Sequence, residues 1–119
     1  MEIEYEFEKL KVYQEGMDLT EQIYKTTRDF PKEEQFGIIA QIRRAALSVP
    51  LNIAEGKGRF YTKIFLQFLY QARGSLYEVM VLLKMSRRLE YLDKGTADSL
   101  LEMANKISVK LNNLIQSMK

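Results

Sequence analysis

Apolar side chains recur along this chain at alternating steps of three and four, the spacing that lines one face of an α-helix. The pattern is plainest at Ala97, Leu100, Ala104, Ile107, Leu111, Leu114 and Met118. Phe65, Leu69, Ala72, Leu76, Val79 and Leu83 form a second stripe, widened by Ile64, Phe68 and Met80. Ile38, Ile42, Ala45, Val49 and Ile53 form a third, flanked by Ile39 and Ala46. A broader fourth takes in Leu10, Tyr13, Met17, Leu19, Ile23 and Tyr24. The spacing predicts helices over about residues 8–28, 31–55, 62–91 and 94–118. Residues 1–7 follow another rule: Glu2, Glu4, Glu6 and Glu8 alternate with Ile3, Tyr5 and Phe7. Period two reads as an acidic arm, either frayed or extended across a bundle.

Punctuation agrees with these segments. Pro31 suits a first helical position, and Glu33 and Glu34 set negative charge on that helix's positive end. Gly56 and Gly58 bracket Lys57 as a helix ending, with Thr62 as the cap of the next helix. Asp93 and Thr96 are candidate caps for the last. Pro50 removes one backbone donor inside the second segment, and a kink after about residue 46 is expected because the stripe resumes at Ile53. Short connections force antiparallel neighbours, so the expected fold is all-α, a single up-down-up-down four-helix bundle over residues 1–119.

Composition then removes whole classes of chemistry. The 119 residues suit one domain and include no Cys and no His. That excludes disulfides, thiolate sites and the commonest neutral-pH base and metal ligand. A dimetal carboxylate bundle needs Glu-x-x-His pairs and fails for the same reason. Glu15, Asp18 and Glu21 share one helical face, but no second helix offers matching carboxylates, so they read as a solvated face. Gly56-Lys57-Gly58 follows a helix rather than a strand, the wrong setting for a phosphate-cradling loop. Phe65, Phe68 and Tyr24 fall on core stripes and read as packing. No catalytic residue, metal, cofactor or small-molecule substrate is expected. The longest wholly apolar run is Val79–Leu83, far short of the roughly 20 residues a membrane span needs. With an acidic N-terminal segment in place of a cationic leader, a cytoplasmic location is expected.

Charge is unevenly spread. Residues 1–34 hold ten acidic and five basic side chains, and residues 35–119 hold six and thirteen. A polar line, Arg44, Ser48, Asn52 and Glu55, runs beside the second stripe. Arg73, Gly74, Ser75 and Glu78 interrupt the third segment at mid-span. Pairing about a connection near residue 58 sets Arg44 level with Arg73 and leaves Glu78 to Arg43 or Arg44, within or between subunits. Lys57, Arg59 and Lys63 cluster where the second helix turns into the third, at the same end as the arm and Lys119. Two readings stay open. Lys57, Arg59, Lys63, Arg43, Arg44 and Arg73 are candidate phosphate contacts for nucleic acid, with the acidic arm opposing them. Asn52, Glu55, Gly56, Gly74, Ser75 and Glu78 are candidates for fixing helix register or a subunit contact. Leu47, Leu51, Ala54, Leu66, Tyr70 and Tyr77 lie off the main stripes, and surplus apolar faces predict a homo-oligomer.

The string from Gln41 to Arg59, Gln-Ile-Arg-Arg-Ala-Ala-Leu-Ser-Val-Pro-Leu-Asn-Ile-Ala-Glu-Gly-Lys-Gly-Arg, closely resembles the signature of bacterial four-helix-bundle proteins encoded in intervening sequences of 23S rRNA genes. Leu10-Lys11-Val12-Tyr13, Phe30-Pro31 with Glu33-Glu34, and Ala72-Arg73-Gly74-Ser75-Leu76-Tyr77-Glu78 match in order and spacing. The resemblance implies a four-helix subunit in a ring-like homopentamer, in a family some of whose members are named as ribosomal proteins. A distant relative serves retroelements that diversify genes, binding nucleic acid and a reverse transcriptase through a basic surface. The expected partners are therefore other copies of this chain, RNA or DNA, and a nucleic-acid enzyme. The expectation is a non-enzymatic oligomeric bundle acting through its basic residues; the alternative is a structural or protein–protein interaction module with no nucleic-acid role.

Overall fold

The computed structural model describes residues 2–119; Met1, the first residue of the expected arm, lies outside them. Four helices follow in order, α1 (Lys11–Thr27), α2 (Ile38–Lys57), α3 (Thr62–Arg88) and α4 (Lys94–Ser117), with no strand among the described residues. Each packs on the next and α4 closes onto α1, so most positions of the four stripes face one interior, while Met17, Tyr24 and Ile64 of the expected stripes are exposed. Ile23, Ile42, Val49, Ile53, Leu69, Leu76, Ile107 and Leu111 are fully buried there. Among the described residues no helix is long and apolar enough to cross a membrane.

The helix ends depart from the sequence expectation, each for a local reason. Pro31 opens a separate 3-10 turn, Lys32–Glu34, and α2 begins only at Ile38. The Glu34 carboxylate accepts the Ile38 N–H at 3.3 Å, and a Cβ at Gly37 would stand 2.5 Å from it. A side chain at Gly37 would therefore displace this carboxylate from the Ile38 N–H, a shift the flexible Glu34 side chain can make. Residues 6–9 form a 3-10 turn rather than an extended strand, pinned by the Tyr5 N–H donating to Glu8 at 2.7 Å. Phe7 lies edge-on to Tyr13 at 5.1 Å, which ties the turn to α1. Thr62 is the first residue of α3, not its cap; Tyr61 holds that place with an extended backbone. Asp93 does cap α4, accepting the Thr96 N–H at 2.7 Å, and this bond holds its carboxyl below the usual carboxylate range.

α3 stops at Arg88 instead of about residue 91 because Glu90 takes a left-handed conformation, φ 64°. Tyr91 N–H then donates to the Ser86 carbonyl at 2.9 Å and Glu90 N–H to that of Arg87 at 3.0 Å, the double bond pattern of a glycine-terminated helix. A side chain in that conformation costs about 1–2 kcal/mol. Glu90→Gly is accordingly expected to raise stability by roughly 1 kcal/mol. A urea midpoint unchanged or lowered in that variant would contradict it.

Pro50 lies inside α2 and the helix runs through it. Its missing N–H would orphan the Ala46 carbonyl one turn back. The buried Thr20 hydroxyl of α1 faces that oxygen at 3.0 Å, sharing its proton with the Gly16 carbonyl at 2.8 Å. A Cβ at Gly16 would meet the Pro50 ring at 3.4 Å, an ordinary van der Waals contact, so the two helices pack closely here without requiring a glycine.

Candidate nucleic-acid interface

α2 and α3 approach each other tightly at Gly56. A Cβ at Gly56 would stand 2.5 Å from Phe68 Cβ and 2.9 Å from Phe65 Cδ1, so only glycine allows the contact. Gly58, by contrast, has φ −73°, an ordinary right-handed value, and its position needs no glycine for conformation. The tight contact lays the end of α2 over the first turns of α3. Lys57 Nζ sits 5.8 Å from the Phe65 ring centroid, and the Arg59 guanidinium 5.3 Å from that of Phe68. Phe65 and Phe68 are half-buried, consistent with packing. Lys63 is exposed on the first turn of α3, and Lys119 reaches over the Tyr70 ring at 5.8 Å. Phe7 and Ala54 line one groove, which puts the acidic arm at this same end.

One carboxylate reaches the cluster: Arg59 donates to Glu55 at 3.3 Å. Both side chains are about half exposed, and such pairs contribute under about 1 kcal/mol, too little to withhold Arg59 from a phosphate. No acidic residue occurs from Gly56 to Tyr77. The connection itself projects Phe60 and Tyr61, whose rings stand edge-to-face at 5.6 Å.

The other candidate arginines point elsewhere. Arg43 turns to α1, donating to the Thr27 hydroxyl at 2.9 Å and the Tyr24 carbonyl at 3.2 Å, with its guanidinium 4.7 Å from the Tyr24 ring. It closes the end of α1 and covers Tyr24, which is partly exposed rather than core. Arg73 turns to α4 and donates to Asn112 Oδ1 at 3.0 Å. Arg44 is exposed with no ion-pair partner among the described residues.

The polar line on α2 joins α3 through hydroxyls, not charges. Ser48 and Ser75 share a hydrogen bond at 2.9 Å, and the Asn52 amide donates to the Ser48 carbonyl and hydroxyl. That bond sets Arg44 level with Val79, not with Arg73 as the sequence suggested. The helices are offset because Gly56 reaches down to Phe68, beyond the midpoint of the connection. Glu78 is exposed and makes no ion pair within the chain with Arg43 or Arg44 among the described residues. Gly74 is exposed too, with nothing within 4 Å of where its Cβ would lie. Glu15, expected to be solvated, is instead half-buried and ion-paired with Lys110 of α4.

At the opposite end a shallow cleft of about 540 Å³ takes in Gln22, Thr26, Asp93 and Ser99. Nearby, Tyr91 donates to Glu34 at 2.8 Å, and this bond pushes the phenol above its ordinary value. A raised phenol stays protonated and a lowered Asp93 stays ionised, so neither exchanges protons near neutrality.

Sequence reasoning missed Phe60 and Tyr61. The available signal was their position: two aromatics outside every helical stripe, bracketed by Arg59 and Lys63. The sequence model of the 23S rRNA-intervening sequence protein matches residues 8–113. A crystal structure of a protein with unknown function from the S23 ribosomal protein family of Bacteroides thetaiotaomicron has the same fold, with a TM-score of 0.79. Its identity is 22%, over 87% of this chain and 97% of that one. Among curated proteins none matches.

Proposed function

This chain belongs to the 23S rRNA-intervening sequence protein family, and we propose that it is a non-enzymatic, self-associating bundle that binds nucleic acid at its α2–α3 end. The carrying observation is Lys57, Arg59 and Lys63 following one another through the α2–α3 connection, with no acidic residue from Gly56 to Tyr77 and only the half-exposed Glu55 paired with Arg59 among the described residues. Arg43 and Arg73 serve the bundle, so their share of phosphate contact is small. The chain offers no His or Cys for catalysis.

Self-association is supported by two separate exposed apolar faces. One is the α1–α2 groove, about 270 Å³, with Met17, Leu47 and Leu51 at its surface. The other is the outer stripe of α3, Tyr77, Val81 and Met85, beside the open Gly74. Two unlike faces suit a head-to-tail contact, which closes into a ring when the rotation allows. Five copies is the number the family resemblance implies. Arg44 and Glu78, without an ion-pair partner among the described residues, supply opposite charges for such a contact. A ring repeats the basic turn and multiplies weak phosphate contacts through effective concentration.

A salt titration of binding tests the reading. Each phosphate contact on a single strand steepens the fall of log affinity with log salt by about 0.7. The variant Lys57→Ala/Arg59→Ala/Lys63→Ala is expected to lower that slope by about two per bound subunit and to weaken binding to every sequence alike. Deletion of residues 1–6 is expected to strengthen binding by removing Glu2, Glu4 and Glu6. No affinity at low salt in either the intact chain or the deletion would leave the structural module, supported by the same apolar faces, as the better reading.

A further inference from the structure

Phe60 is the most exposed large apolar side chain of the described residues, at 94%, and Tyr61 follows in sequence at 65%. Neither serves the core, and Tyr61 caps α3 through its backbone alone. Phe36 is almost as exposed but stands alone, whereas Phe60 and Tyr61 are adjacent and form a small contiguous apolar patch, the kind of feature that marks an interaction site. The surroundings narrow what that is. Lys57 and Arg59 are held over the Phe65 and Phe68 rings within 6 Å, and Lys63 follows two residues after Tyr61. An apolar partner would have to desolvate three cations, whereas a polyanion with flat apolar faces satisfies both features together. A duplex offers this turn phosphates only, because its bases are stacked on one another. A single strand also offers bases.

We infer that Phe60 and Tyr61 stack the bases of single-stranded nucleic acid whose phosphates lie on Lys57, Arg59 and Lys63. This rests on the nucleic-acid reading above and adds to it the form of the ligand. The edge-to-face pair, 73° between planes, presents two differently tilted rings and so suits successive bases of a bent strand. Stacking accepts every base, so sequence preference is weak and both RNA and DNA strands bind.

The experiment measures fluorescence anisotropy of the full chain with an RNA strand, a DNA strand and the matching DNA duplex, each across a salt series. Single strands are expected to bind more tightly than the duplex. Phe60→Ala is expected to lower single-strand affinity about 10-fold with the salt slope and duplex affinity unchanged, and Phe60→Trp to restore it. Equal affinity for strand and duplex, with Phe60→Ala indistinguishable from the parent, overturns the inference but leaves phosphate binding standing. A change of oligomer size in Phe60→Ala without loss of single-strand affinity assigns the pair to a subunit contact and also overturns it. Absence of binding to all three probes removes the cation reading and this inference together.

Discussion

Gly56→Ala is expected to lower the melting temperature of this chain, and Gly74→Ala to raise it. Both glycines sit in helices, where alanine is favoured by up to about 1 kcal/mol. At Gly56 the new methyl would meet Phe68 Cβ at 2.5 Å, an atom fixed to its own backbone, so the helices must separate to admit it. Overpacking of that kind costs about 1–3 kcal/mol, which outweighs the propensity gain. At Gly74 nothing lies within 4 Å, and the propensity gain stands alone. Thermal melts of the two variants beside the parent check the opposite signs. Loss of stability at Gly74 as well, together with a smaller particle in light scattering, would mean that another copy seats on that residue.

Thr20→Val is expected to destabilise the bundle by about 1–3 kcal/mol although the shape of the side chain is kept. Valine cannot donate to the Ala46 carbonyl, which Pro50 has already deprived of its helical partner. A buried acceptor is then left bare. In a Pro50→Ala background the restored N–H can reach the Ala46 oxygen, so the same Thr20→Val change should cost less. Urea melts of the four proteins give the coupling directly, expected on the order of 1 kcal/mol. A cost that is the same in both backgrounds would mean that the hydroxyl serves Gly16 alone.

The pairing of Thr20 with Pro50 shows where reading the sequence stops. Pro50 inside an apolar stripe signals a missing donor, and the resumption at Ile53 signals that the helix continues. Nothing local to residues 46–50 says that the missing donor comes from a threonine on another helix. Thr20 is not among the apolar positions of the first stripe, and its own neighbours do not mark it as a donor to another helix. The same limit applies to the arginines. Arg43 and Arg44 are adjacent and alike in sequence, yet one is spent on the end of α1 and the other faces water. Their directions differ by the 100° between successive helix positions, and only the placement of α1 decides which of them finds an acceptor.

What the sequence determines by itself is the set of four helices, the side that the second, third and fourth turn inward, and the class of chemistry open to a chain without His or Cys. Those follow from a backbone repeat that every few residues restate, so one irregular position does not disturb them. In α1 the structure buries Val12, Gly16 and Thr20 and leaves Met17 and Tyr24 exposed. The tertiary structure alone decides the helix ends and the register. α2 starts at Ile38 and not at Pro31 because the Glu34 carboxylate folds back on Gly37, and α3 ends where Glu90 turns left-handed. Arg44 stands level with Val79 because Gly56 lets α2 slide along α3 until Ser48 meets Ser75. Register depends on how closely two backbones approach at one or two points, and a periodic stripe is nearly unchanged by sliding a turn along its neighbour. That slide is what brings Lys57 and Arg59 over the α3 aromatics, at the turn where Phe60 and Tyr61 stay in the open.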